Sequence, residues 1–133
     1  MKITIITPCA YPSFQLGGPV KSTLELGLQI KKINKKNDIN IISWMHDYSK
    51  NDIFYYKNIK FIKLNGLKTG AKYFSIGIYS IFRLIKIIIH SDLVILNLGF
   101  DPLITISGFL STFFSKSLIF FSKRESCERK GYL

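Results

Sequence analysis

Apolar and polar positions change their period several times along the chain, and each change marks an element. Lys2 to Thr7, KITIIT, is a β-branched run closed by Pro8, the pattern of a strand buried on both faces of a parallel sheet. From Pro19 onward the spacing turns helical, with Val20, Leu24 and Leu28 on one row and Leu26, Ile30 and Ile33 on the next. Gly18 is expected as the N-cap, and Pro19 suits the first helical position, where no N–H is needed. Lys31, Lys32, Lys35 and Lys36 fill the last turns, where cations complement the helix dipole, and Asn37-Asp38 breaks the pattern. Ile39 to Trp44, INIISW, reads as a second strand. Lys57 to Leu64, KNIKFIKL, alternates Lys with apolar residues and so predicts a strand with one wet face near a sheet edge.

The second half is more apolar. Tyr73 to Ile89 has helix length and is apolar around most of its circumference, with Arg83 and Lys86 on one stripe, which predicts a mostly buried helix. Asp92 to Leu98, DLVILNL, is the clearest buried strand. Gly99, Phe100 and Asp101 follow, then Pro102 opens a helix to about Phe114, and Ser117 to Ser122 forms a last strand. The order strand, helix, strand, strand, helix, strand, helix, strand predicts a layered α/β fold with a mainly parallel sheet. Ligands of such sheets gather at the carboxyl ends of the strands. Three loops are therefore candidates for a site: Pro8 to Gly18, His46 to Lys50, and Gly99 to Asp101.

Length and composition bound this picture. A chain of 133 residues, 47% hydrophobic and 20% charged, supports one core-bearing domain. No apolar segment reaches, free of charge, the roughly 18 to 20 residues that a membrane span needs; Pro102 to Phe121, interrupted by Lys116, comes nearest. The net charge of +11 favours anionic partners. Nucleic acid is not expected as a partner, because Arg is scarce, the chain has a single Lys-dense stretch and no nucleic-acid-binding motif occurs. Cys9 and Cys127 form neither a disulfide framework nor a metal cluster, and MKITIITP lacks a secretory apolar region, so a reduced, cytoplasmic protein is expected.

Gly17-Gly18 between a strand and a helix would let backbone N–H groups approach an anion, with the helix dipole in support, and phosphate is the obvious ligand. Neither common fingerprint fits. G-x-G-x-x-G is absent and no acidic residue ends the second strand, while Lys21-Ser22 lacks the second glycine of a phosphate loop, its place taken by Val20. A loop that needs two glycines only to turn is the other reading.

TPCAYPSFQLGGPVKSTLELGLQI resembles the opening of the family 4 glycosyltransferases, in which a first strand leads into a Pro/aromatic loop, a Gly-Gly pair and a Leu-rich helix. SDLVILNLGFDPLITISGFL is similar to a second landmark of that family, and KSLIFFSKRES to the strand that follows it. The resemblance implies a Rossmann-like three-layer domain, the N-terminal, acceptor-side half of a GT-B fold. It implies transfer of a sugar from a nucleotide donor, with retention, to a polysaccharide or lipid-linked acceptor, as in capsule or lipopolysaccharide assembly. Gly17, Gly18 and Lys21 would then line the cleft near the donor phosphates, and Asn97, Gly99 and Asp101 the acceptor side. No metal or other cofactor is implied, and no Asp-x-Asp motif occurs.

The departures from the family shape the remaining expectations. Many members carry a His on or just after this strand, where this chain has Ile95 and Asn97; Asn97 can hydrogen-bond a sugar but cannot act as a general base, so no residue receives a catalytic role. His46 and His90 read as solvated or helix-end residues. Ser122-Lys123-Arg124-Glu125 stands where Ser-Pro-Arg-Gly is common, and Glu-x7-Glu is absent, so the donor-binding half is expected to lie outside these 133 residues and the chain to be inactive alone. Two alternatives accompany this: a partner-dependent subunit completed by a separately encoded C-terminal half, and a peripheral module on an anionic membrane, drawing on Lys31, Lys32, Lys35, Lys36, Arg83 and Lys86 together with apolar surface left exposed where the other half would pack.

Overall fold

The computed structural model describes residues 1–12, 18–44, 53–64, 78–97, 102–114 and 116–121. Six strands and three helices are described: β1 (Lys2–Ile6), α1 (Gly18–Ile33), β2 (Asp38–Ser43), β3 (Ile53–Tyr56), β4 (Ile59–Lys63), α2 (Ile78–Ile89), β5 (Leu93–Asn97), α3 (Pro102–Phe113) and β6 (Ser117–Phe121). They form one sheet in the order β3-β4-β2-β1-β5-β6, parallel throughout except where β3 pairs antiparallel with β4. The expected α/β layering with a mainly parallel sheet is present.

Alternation along each strand sends neighbouring side chains into different layers. Ile3, Ile5, Ile39, Ile41, Ile59, Phe61 and Ile95 pack with Leu24 and Leu28 of α1 on one face. Ile6, Ile42, Ile62, Leu64, Val94 and Leu96 pack with Leu84 and Ile88 of α2 and Ile104 of α3 on the other. Burial on both sides is why β1, β2 and β5 read as mainly apolar runs, interrupted at Thr4 and Asn40. Right-handed crossovers require this split: α1 connects β1 to β2 toward one edge, while α2 and α3 carry the chain toward the other.

Several boundaries differ from the sequence reading. Helix α1 begins at Gly18 itself and ends at Ile33, short of the predicted last turns. Asn34 stops it: its side-chain oxygen accepts from the Lys36 N–H at 3.0 Å and its carbonyl from the Asn37 N–H at 3.1 Å, giving the backbone a turn in place of further helix. The largest correction concerns the strand expected over Lys57 to Leu64. Lys57 and Asn58 have positive φ of 47° and 61° and form the two-residue loop of a β3-β4 hairpin, with Tyr56 opposite Ile59. β3 therefore takes the edge with β4 beside it; Ile59, Phe61 and Ile62 of β4 are buried, and the half-buried Lys60 and Lys63 fall on opposite faces by strand alternation, so the lysines do not gather on one wet face.

Helix α2 also departs from expectation. Its described part buries only the stripe Ser80, Leu84 and Ile88, while Tyr79 is 92% exposed and Phe82 67% exposed. One inward stripe is all that the sheet can cover, whatever the composition of the rest. The predicted helical residues 73–77 lie outside the described residues.

Candidate functional site

The strand order reverses direction between β1 and β5. β1 leads to β2 on one side, whereas β5 lies on β1's other side, and the carboxyl ends of such strands border a crevice in which ligands of α/β sheets bind. Two of the three loops singled out from the sequence, those after β1 and β5, leave from this point.

A chain of buried polar groups forms the floor there. Thr7 directly follows β1, Thr23 lies on α1, and Asn97 ends β5; all three are buried. Asn97 Nδ2 donates to Thr23 Oγ1 at 2.8 Å and, at greater length, to Thr7 Oγ1 at 3.4 Å. Thr23 donates to Thr7 at 3.5 Å, and Thr7 donates to the Cys9 carbonyl at 3.1 Å. A carbonyl only accepts, and that fact sets the direction of the whole chain. Thr7's single proton is committed to Cys9, Thr23's to Thr7, and Asn97 must turn its NH2 toward the threonines.

Two further features shape the crevice. Helix α1 presents its N-terminus at Gly18, which is exposed, so the first-turn N–H groups bring partial positive charge to the same end of the sheet. The loop after β1 is anchored by Tyr11, whose ring stacks on Tyr56 at 4.4 Å and meets Phe61 at 5.9 Å. Cys9 and Ala10 are buried beneath it, and desolvation raises the Cys9 thiol above its ordinary pKa of 9.0, so it is neutral at physiological pH.

Of the predicted site residues, the structure brings Gly18 and Asn97 to this crevice. Lys21 lies on α1 close to its start and is exposed. Gly17, Gly99 and Asp101 lie outside the described residues, as does His46. His90 is at the opposite end of the sheet, just past the end of α2, with Nδ1 2.7 Å from the Lys86 carbonyl. Thr7 and Thr23 were not singled out from the sequence. A signal for Thr7 existed: Thr7, Ser43 and Asn97 are polar residues at the carboxyl ends of three mainly apolar strand runs. By strand alternation all three sit on the α1 side of the sheet.

A cavity of about 470 Å³ opens at the amino ends of the strands, lined in part by Lys2, Asp38, Lys60, Lys86 and His90. The end of α2 points carbonyls rather than N–H groups toward that region, the wrong backbone polarity for an anion, so the crevice between β1 and β5 is the better candidate. Of the cations named for a membrane surface, Lys31 and Lys32 belong to α1 and Arg83 and Lys86 to α2, on opposite faces of the sheet.

Chemically, the crevice floor is polar and uncharged. Among the described residues no titratable side chain joins the hydrogen-bonded groups from Cys9 to Asn97, and no three His, Cys, Asp or Glu side chains converge. These side chains are buried and bonded to one another, so they tie α1 to the carboxyl ends of β1 and β5. In comparisons with protein-family models, curated proteins and solved structures, none matches the chain.

Proposed function

We propose that the chain is the acceptor-side, Rossmann-like half of a GT-B glycosyltransferase that passes a sugar from a nucleotide donor to a glycan or lipid-linked acceptor at the cytoplasmic side of a membrane. The observation that supports this most is the joint position of the Gly18 helix start and the uncharged Thr7–Thr23–Asn97 floor at the carboxyl ends of β1 and β5. A sugar offers many hydroxyl groups, and in this reading an uncharged amide at the end of β5 meets one without needing a charge. The helix start favours the negative charge that develops as a nucleoside diphosphate leaves. In this reading the Gly17, Gly18 and Lys21 region faces the donor phosphates, and Asn97, Gly99 and Asp101 face the acceptor. The donor sugar nucleotide is held by a second α/β domain, in the same or another polypeptide, and no metal is required.

The test is sugar transfer from a panel of nucleotide sugars, measured with the chain alone and together with the polypeptide encoded beside it. Transfer is expected only in the combination, and Asn97→Leu should raise the acceptor KM about tenfold, the equivalent of one lost hydrogen bond of about 1.4 kcal/mol. Transfer by the chain alone, or a combined activity indifferent to Asn97→Leu, would overturn the reading.

A further inference from the structure

Helices α2 and α3 lie side by side on one face of the sheet, and their outer sides are apolar where a solvated helix would be polar. Ile78, Tyr79 and Phe82 project from α2, and Ile106, Phe109 and Phe113 from α3. Phe109 and Phe113 are each 71% exposed, with ring centroids 6.5 Å apart. The spacing repeats every three or four residues, so each helix carries one continuous apolar stripe. Contiguous apolar surface of this kind marks an interaction site.

Charge identifies the occupant. No Asp or Glu occurs from 78 to 91 or from 102 to 121, whereas exposed Lys86, half-buried Lys116 and Arg83, whose guanidinium donates to the Lys63 carbonyl, fall within or beside these helices. A second copy of the chain would bring two surfaces of the same sign together on a protein of net charge +11. An anionic lipid leaflet offers apolar volume for the rings and opposite charge for the cations. Each helix has 12 residues, too short to span a bilayer, and no described helix is long and apolar enough to cross one. Exposed aromatics and cations on short helices suit a position in the plane of the headgroups.

We propose that the outer face of α2 and α3 docks on the surface of a bilayer containing anionic phospholipid, with Tyr79, Phe82, Phe109 and Phe113 entering the acyl boundary. The docking face belongs to the α2/α3 layer, not to the lysines of α1. It stands independently of the sugar-transfer reading.

Vesicle co-sedimentation of the full chain tests it, using phosphatidylcholine alone and mixed with phosphatidylglycerol. Binding is expected with the mixed vesicles, and Phe109→Ser with Phe113→Ser should weaken it by about tenfold per ring removed. Lys31→Gln with Lys32→Gln should leave most of the binding in place. Far-UV circular dichroism checks that the variants fold; independently, Phe109→Trp should gain fluorescence quenching by acyl-brominated lipid beyond that of Trp44. Absence of binding to the mixed vesicles, a double variant that binds as tightly as the parent, or no added quenching would each overturn the proposal. So would a dimer in sedimentation that Phe109→Ser and Phe113→Ser convert to monomer.

Discussion

The two helical layers meet the sheet in the same way and meet the outside in opposite ways. On one face Gly27 of α1 lies over the sheet, where an added Cβ would stand 3.1 Å from Ile59 Cδ1; on the other Gly108 of α3 lies 3.3 Å, by the same measure, from Leu96 Cδ1. Both helices thus close on sheet aliphatics at a residue without a side chain. Outward, α1 shows Lys21, Glu25, Gln29 and Lys32 at intervals of three and four, whereas α2 and α3 show Tyr79, Phe82, Phe109 and Phe113. Folding demands an apolar inner side of every layer, but it makes no demand for apolar outer sides. The outer difference is therefore where interaction, as distinct from stability, is to be sought.

The strongest test of the inner likeness uses neighbours on β2. Ile41 points toward α1 and Ile42 toward α2 and α3, and both are fully buried. Ile41→Ala and Ile42→Ala should each cost about 2–5 kcal/mol in urea unfolding. A loss below about 1 kcal/mol on one side alone would break the comparison, because that layer would then be dispensable to the fold.

Polar residues on the inner sides sharpen it. Thr23 of α1 joins Asn97 and Thr7, so Thr23→Val, which keeps the shape and removes the hydroxyl, should cost about 1–3 kcal/mol. Unchanged melting would show that the crevice floor contributes nothing to stability. Ser107 of α3 is as deeply buried, yet its Oγ has no hydrogen-bond partner. Ser107→Ala should accordingly stabilise the protein by about 1 kcal/mol, through relief of a buried unpaired hydroxyl and better helix propensity. A lower melting temperature for that variant would contradict this.

The smallest effect concerns Cys9, below the α1-side loop. Burial raises its folded-state pKa above 9.0, so the folded protein keeps the thiol proton longer than the unfolded chain does. The stability this confers is intact below the unfolded value and is lost as the pH rises through the folded one. Thermal melts into the alkaline range should fall less steeply for Cys9→Ala than for the parent, and identical slopes would remove Cys9 as a contributor.

Much of this was legible in the residues. KITIIT, INIIS and DLVILN announce buried strands because both faces of each are covered, so that apolar side chains occur at neighbouring as well as alternate positions. The β3 strand was missed because its turn, Lys57-Asn58, lacks the glycine that usually announces positive φ. Asn97 stood out as a polar residue in an apolar strand, but Thr23 did not: a threonine on a helix has many uses, and only its distance from Asn97 distinguishes this one.

Local period alone decided that the chain would alternate strands and helices, since the spacing of apolar residues reflects only neighbours a few positions apart. Strand order, the crevice between β1 and β5, the meeting of residues 74 positions apart at Asn97 and Thr23, and the outward turn of Tyr79 and Phe82 depend on contacts distant in sequence. An all-round apolar helix carries no mark of which side the sheet will take. The crossovers made that choice, because right-handed connections assign each helix to a face and a sheet can cover only one side of a helix lying on it.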